Sequence, residues 1–148
     1  MIYKEEVRDL FLVPEDYYLA HCISADFGMG KGIVVEFNKR YDMKNKLTKK
    51  YPNYLAKWQR EGYLGDCILE GNTFNLITKE RYWNKPTYDS LETALISMGL
   101  ICVQKGIKKV AMPTIGAGLD RLDFEKVKEV IFEVFKNVDI EILVCKLK

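Results

Sequence analysis

The stretch that decides the reading runs from Ala111 to Leu122, A-M-P-T-I-G-A-G-L-D-R-L. An apolar run, Val110 to Met112, ends in Pro113, and a glycine loop of Gly116, Ala117 and Gly118 follows. A lone acid, Asp120, stands just before a new helical pattern that opens at Asp123. Strand, glycine loop and helix start form a layout in which backbone N–H groups turn toward a phosphate, because only glycine lets the backbone come that close. The expectation is a phosphate-gripping loop with Asp120 facing the chemistry.

Outward from this stretch, the chain reads as strands alternating with helices. Lys109–Met112 is a strand, and Asp123 caps a last helix with Phe124, Val127, Ile131, Val134 and Phe135 inward. A buried strand closes the chain over Asp139–Lys146. Before the central stretch, Thr87 caps a long helix to about Lys105, with a stripe of Leu91, Ala94, Leu95, Met98, Ile101 and Cys102, and Gly106 stops it. Cys67–Leu69 and Phe74–Thr78 flank Glu70-Gly71-Asn72 as a hairpin. Met43–Glu61 is lysine-rich and helical in pieces, interrupted by Pro52 and ended by Gly62 or Gly65. At the start, Ile2–Val7 and Tyr17–Ser24 read as strands. Glycines 28, 30 and 32 form a second loop, and Ile33–Tyr41 is a helix with Ile33, Val34 and Phe37 inward. This alternation predicts an α/β fold with a mixed central sheet, and ligands at the carboxyl ends of its strands.

Composition narrows the function classes. The 148 residues predict one domain over 1–148, with 48% apolar and 30% charged residues. A formal net charge of +2 does not favour a nucleic-acid partner, and the lysines between Lys39 and Lys50 fit a solvated helix face. Cys22, Cys67, Cys102 and Cys145 lie far apart inside apolar runs, and there is one histidine, so no metal centre is expected. Reduced, buried thiols in a cytoplasmic protein are the default. The charged N-terminus has no signal-peptide core, and no run approaches the ~20 apolar residues of a membrane span.

Individual residues divide between chemistry and structure. Gly28-Met29-Gly30-Lys31-Gly32 is neither a P-loop nor a good dinucleotide fingerprint. Paired with the second glycine loop, however, it suggests a diphosphate pinched between two helix N-termini. Asp120 reads equally as a capping carboxylate, and Lys79 as a surface lysine. His21, inside an apolar strand, reads as a core histidine; a triad of Ser24, His21 and Asp26 is disfavoured, because residues so close in an extended segment do not converge. Tyr82, Trp83 and Tyr88 either cover a ligand or cap the core.

Several short stretches, in this order, resemble the macrodomain family, and within it the small terminal ADP-ribose protein glycohydrolase-like branch. They are R-D-L-F from Arg8, L-A-H-C-I-S from Leu19, M-G-K-G-I from Met29, L-I-T-K from Leu76, K-P-T-Y from Lys85 and M-P-T-I-G-A-G-L-D-R-L from Met112. The resemblance covers nearly the whole chain and implies a three-layer α/β/α sandwich binding ADP-ribose in a cleft. It implies that Asp9, beside Leu10, accepts a hydrogen bond from the adenine amino group. Met29, Gly30, Lys31, Gly32 and Ile33, with Thr114, Ile115, Gly116, Ala117, Gly118 and Leu119, would surround the diphosphate and distal ribose, near Ser24. Lys79 would be the nucleophile and Asp120 its acid/base partner. A neutral amine would attack the anomeric carbon, a form that a partly desolvated cleft favours.

The implied activity is release of mono-ADP-ribose from glutamate or aspartate side chains, with deacylation of O-acyl-ADP-ribose beside it. Mono-ADP-ribosylated proteins are the implied partners of a monomer that needs no cofactor and no metal. A non-catalytic ADP-ribose reader, an ADP-ribose 1″-phosphate phosphatase and a hydrolase of ADP-ribosylated nucleic acid are the alternatives. The chain departs from the family at Arg8, where glycine is common, at Lys31, where a small residue is common, and at Cys145, where relatives place an aromatic on the adenine.

Overall fold

Side chains along the inner strands alternate between two faces, and each face has its own helices. In the last strand, β6 (Glu141–Lys146), Ile142 and Val144 point one way and Leu143 and Cys145 the other. The preceding strand, β5 (Lys109–Met112), divides likewise, with Val110 and Met112 on the first face and Ala111 on the second. This two-residue period is the geometry of a pleated strand covered on both sides. The computed structural model describes residues 1–147.

The remaining strands are β1 (Ile2–Val7), β2 (Tyr18–Ser24), β3 (Asp66–Glu70) and β4 (Thr73–Lys79). The sheet order is β1-β6-β5-β2-β4-β3, parallel throughout except for the antiparallel β3–β4 pair. Five helices complete the layers: α1 (Val34–Tyr41), α2 (Met43–Lys50), α3 (Tyr54–Glu61), α4 (Tyr88–Lys105) and α5 (Phe124–Phe135). On one face α4 and α5 bury Leu91, Leu95, Met98, Val127, Ile131 and Phe135 against Phe74, Leu76 and Ile142. On the other, α2 and α3 bury Met43, Leu47, Tyr54 and Trp58 against Ile23, Ile68 and Ile77, while Phe37 of α1 packs with Leu19 and Leu143. The expected three-layer sandwich with a mixed sheet is therefore present.

Local chemistry explains the element ends. Thr87 Oγ1 accepts the Ser90 N–H and Ser90 Oγ accepts the Thr87 N–H, a reciprocal box that fixes the start of α4. The segment around Pro52 separates α2 from α3, and Gly62 caps α3 in the left-handed region. The hairpin turn is tighter than the sequence suggests: Glu70 pairs with Thr73, so only Gly71 and Asn72 turn, with Gly71 at φ +59°.

Some inward positions are only half-buried. Ile33, Val34, Ile101, Phe124 and Val134 belong to this group, as does Cys22 of the interior strand β2. The other three cysteines are buried, and all four are free thiols. His21 is a core histidine as expected: it stacks on Phe37 at 3.8 Å and its Nε2–H donates to Asn75 Oδ1 at 2.7 Å. Asn75 in turn donates to the Ile68 carbonyl, which fixes its orientation and hence the imidazole tautomer. Among the described residues, no helix is long and apolar enough to cross a membrane.

Candidate active site

Because four of the strand pairs are parallel, the carboxyl ends of β1, β6, β5, β2 and β4 line one edge of the sheet. Lys79 ends β4, Ser24 ends β2, Pro113 and Thr114 follow β5, and Asp9 follows β1. The register between β2 and β4 slips at this edge, from Ile23 opposite Ile77 to Ser24 opposite Lys79. Thr78 is thus an extra residue, a bulge of the kind that re-aims a side chain. Lys79 is freed from strict alternation and stands level with Ser24.

Lys79 Nζ meets Asp120 Oδ1 at 2.9 Å, joining residues 41 apart in sequence. Both side chains are largely sheltered, at 15% and 17% exposure. Asp120 comes from a 3-10 turn, Gly118–Asp120, which Arg121 closes in the left-handed region at φ +61°. The second glycine loop therefore does not open directly into α5, as the sequence suggests. The chain makes one more turn first, and Asp123 then caps α5 by accepting the Glu125 N–H, while Tyr88 Oη accepts the Asp123 N–H. Tyr88 thus caps a helix and packs against the core. Of the two helix N-termini expected, that of α1 does follow the first glycine loop directly, whereas the second loop ends in its own short turn before α5.

The two glycine loops touch. A Cβ placed on Gly32 (φ +79°) would lie 3.3 Å from Leu119 Cδ1. Gly116, at φ +77°, is likewise confined: a Cβ there would lie 3.0 Å from Leu122 Cδ1, so the loop is closed from behind by the start of α5. Lys85 Nζ donates to the Leu119 carbonyl at 2.6 Å and pins this loop to the segment after β4. Asp26 pins that same segment to the first loop. Its Oδ1 accepts from the Ser24 hydroxyl (2.5 Å) and the Gly28 N–H (3.0 Å), and its Oδ2 accepts from the Tyr82 N–H at 3.1 Å. Neither Asp26 nor Lys85 was singled out by sequence reasoning as a fastener of the site. The Asx-turn signature of Asp two residues before a glycine was the available signal.

The expected ligand residues divide along this edge. Thr114, Ile115, Gly116, Ala117, Gly118 and Leu119 form one wall and Met29, Gly30, Lys31, Gly32 and Ile33 the other, with Lys31 exposed and the Met29 side chain buried beneath. Burial first, and the Asp120 carboxylate second, push the Cys22 thiol up to about 12, so the sulfur beside the ion pair stays un-ionised. At the far end, Asp9 is exposed and its carboxylate accepts the Phe11 N–H at 2.9 Å, while Leu10 is buried with Phe37, Leu143 and Cys145. Cys145 is part of that floor and presents no ring. Four strand spacings separate the ends of β1 and β4, roughly 19 Å at ~4.8 Å each, which suits an elongated ligand. Among the described residues, no cluster of His, Cys, Asp and Glu could hold a metal ion.

No family model matches the chain. It is 41% identical over 140 residues to the ADP-ribose glycohydrolase OARD1 of Homo sapiens, covering 94% of this chain and 88% of that protein. Among solved structures, the macrodomain of Mycobacterium tuberculosis DarG superposes with a TM-score of 0.78 at 21% identity, covering 99% of this chain and 98% of that one. Thermosipho africanus DarTG in complex with ADP-ribose gives a TM-score of 0.71 at 16% identity, covering 98% of this chain and 41% of that one.

Proposed function

This chain belongs to the macrodomain family, and from that premise we propose that it binds ADP-ribose and hydrolyses it from proteins. The linkage cleaved joins the distal ribose to a glutamate or aspartate carboxylate. Lys79 is the nucleophile and Asp120 the acid/base. The observation that carries this reading is the sheltered 2.9 Å contact between Lys79 and Asp120 at the strand-end edge. A protein that only bound ADP-ribose would need the two loops but not an amine and a carboxylate joined between them.

The proposed course of the reaction follows from those groups. The ammonium of Lys79 passes a proton to Asp120, leaving a free lone pair on nitrogen. The amine attacks the anomeric carbon of the distal ribose, and the bond from that carbon to the carboxylate oxygen breaks. The glutamate leaves as a carboxylate, a weak base whose charge is shared between two oxygens. The nitrogen then gives a second proton to the ring oxygen as the bond from that oxygen to the anomeric carbon breaks, leaving a protonated imine on the open-chain sugar. Water adds to the same carbon, the C–N bond breaks to give the aldehyde, and the remaining proton of that water passes to solvent. The proton held by Asp120 returns to the amine, the hydroxyl recloses the ring and ADP-ribose departs.

Loop contacts support the placement of the ligand in this reading. The Met29–Ile33 and Thr114–Leu119 segments hold the diphosphate through backbone N–H groups, Ser24 lies near the distal ribose, and Asp9 receives the adenine amino group. The test is turnover of ADP-ribosyl-glutamate by Lys79→Ala. Loss on the order of 10³-fold or more in kcat, with ADP-ribose still bound in calorimetry, is expected for removal of a nucleophile. Normal turnover by that variant would overturn the lysine chemistry.

A further inference from the structure

The segment between β4 and α4 carries a feature that the reaction above does not use. Tyr82 and Trp83 are 63% and 61% exposed, and neither belongs to a core cluster. Large aromatic side chains usually bury most of their surface, so two adjacent ones left in water call for an explanation. They are not loosely arranged. Their rings meet edge-on at 4.9 Å and 85°, and the Arg81 guanidinium lies 5.5 Å over the Trp83 ring. Arg81 N–H donates to Asn84 Oδ1 and Asn84 N–H to the Arg81 carbonyl, closing a tight turn under the pair. Asp26 and Lys85 fasten the two flanks of this turn to the glycine loops.

Resting on the reading above, we propose that Arg81, Tyr82 and Trp83 form a docking platform for the polypeptide that carries the modification. The platform favours segments with acidic residues beside the modified side chain. Arg, Tyr and Trp are the side chains that dominate binding hot spots, and a pre-ordered turn reduces the entropy lost on docking. Position supports the assignment. Arg81 follows Lys79 by two residues, and Tyr82 packs against the first glycine loop, where a Cβ on Gly28 would lie 2.8 Å from Tyr82 Cβ, so these side chains border the edge at which Lys79 stands.

Charge selects the occupant. Lys31, Lys85 and Arg121 are exposed on the three loops that converge here, and Arg81 joins them. Of the nearby carboxylates, Asp26 is engaged by its three hydrogen bonds, Asp120 by Lys79, and Glu80 by Arg81 at 3.9 Å, which leaves Lys31, Lys85 and Arg121 in excess. The rim is thus cationic and attracts an acidic segment. It is also short, since Asp89 and Asp123 interrupt it within four residues of Lys85 and two of Arg121. A phosphodiester backbone needs a longer basic track, so a peptide is the better match.

The experiment compares four substrates: ADP-ribosyl-glutamate as the free amino acid, the same linkage within an acidic and within a neutral peptide, and an ADP-ribosylated single-stranded oligonucleotide. The wild-type protein should favour the acidic over the neutral peptide by about tenfold in kcat/KM, carried by KM and weakened by salt. The double variant Arg81→Ala/Trp83→Ala should lose that preference and keep wild-type turnover of the amino-acid substrate. Trp83→Phe should retain it, and Arg81→Glu should reverse it. Equal rates on both peptides would overturn the platform while leaving the lysine chemistry standing. Preference for the oligonucleotide would also overturn it and give the rim to nucleic acid. Absence of turnover on every substrate would remove the parent reading and this inference with it.

Discussion

At the residue scale, the pairing of Lys79 with Asp120 sets up the most direct chemical test. If Asp120 returns the proton that frees the sugar from nitrogen, Asp120→Ala should slow the second half of the reaction more than the first. Mass spectrometry of that variant after incubation with modified protein should show a covalent sugar adduct on Lys79; an unmodified lysine would count against the imine. A second prediction concerns His21 of β2, the strand that pairs with the one ending at Lys79. Burial holds its pKa down to about 4, against about 6.5 for an exposed imidazole. The folded state therefore excludes a proton that the unfolded chain accepts. Its contribution is complete above about pH 6.5 and fades as pH falls toward 4, by a total on the order of 3 kcal/mol. Denaturant unfolding at pH 7.5 and pH 5 should show the loss, and His21→Gln, which cannot titrate, should flatten the dependence.

At the scale of elements, the tightest constraint is where the segment after α3 crosses α4. A Cβ on Gly65 would lie 2.3 Å from the Ser90 carbonyl oxygen and 2.9 Å from the Ala94 nitrogen, both backbone atoms that cannot swing aside. Gly65→Ala should therefore destabilise the protein by about 1–3 kcal/mol, read as a lowered urea midpoint. At the start of the same helix, Thr87→Ala should cost about 1 kcal/mol by removing one half of the capping box. These are also the elements that the sequence described best. The start of α4 at Thr87, its end at Gly106 and the cap of α5 at Asp123 are all written in side-chain chemistry local to each boundary. The bulge at Thr78 was not legible, because one extra residue leaves no trace in a two-residue period. Nor was the short turn before α5, since Arg121 is an unusual residue to adopt the left-handed region.

At the scale of the whole molecule, the layers follow from pattern, whereas the site follows from topology. Strands alternating with helices were enough to predict a sheet between helical layers with loops at its carboxyl edge. The meeting of Lys79 and Asp120 has no local signature, because the two are brought together only by the order β5-β2-β4 and the loop after β5. Resemblance to a family supplied that pair before the geometry did. The molecule as a whole should also respond to the proposed ligand: saturating free ADP-ribose should raise the melting temperature, by an amount that grows with the logarithm of its concentration. No shift would argue against an ADP-ribose site of any kind at this edge.

Lys79 and Asp120 lie on opposite sides of α4 in sequence, and no single supersecondary unit contains both. A ribosome-bound fragment ending anywhere before β5 would display Lys79 as an ordinary solvated amine. The pair thus assembles late, with the closing of the sheet. Recovery of enzymatic turnover during refolding should accordingly lag any probe confined to the first half of the polypeptide.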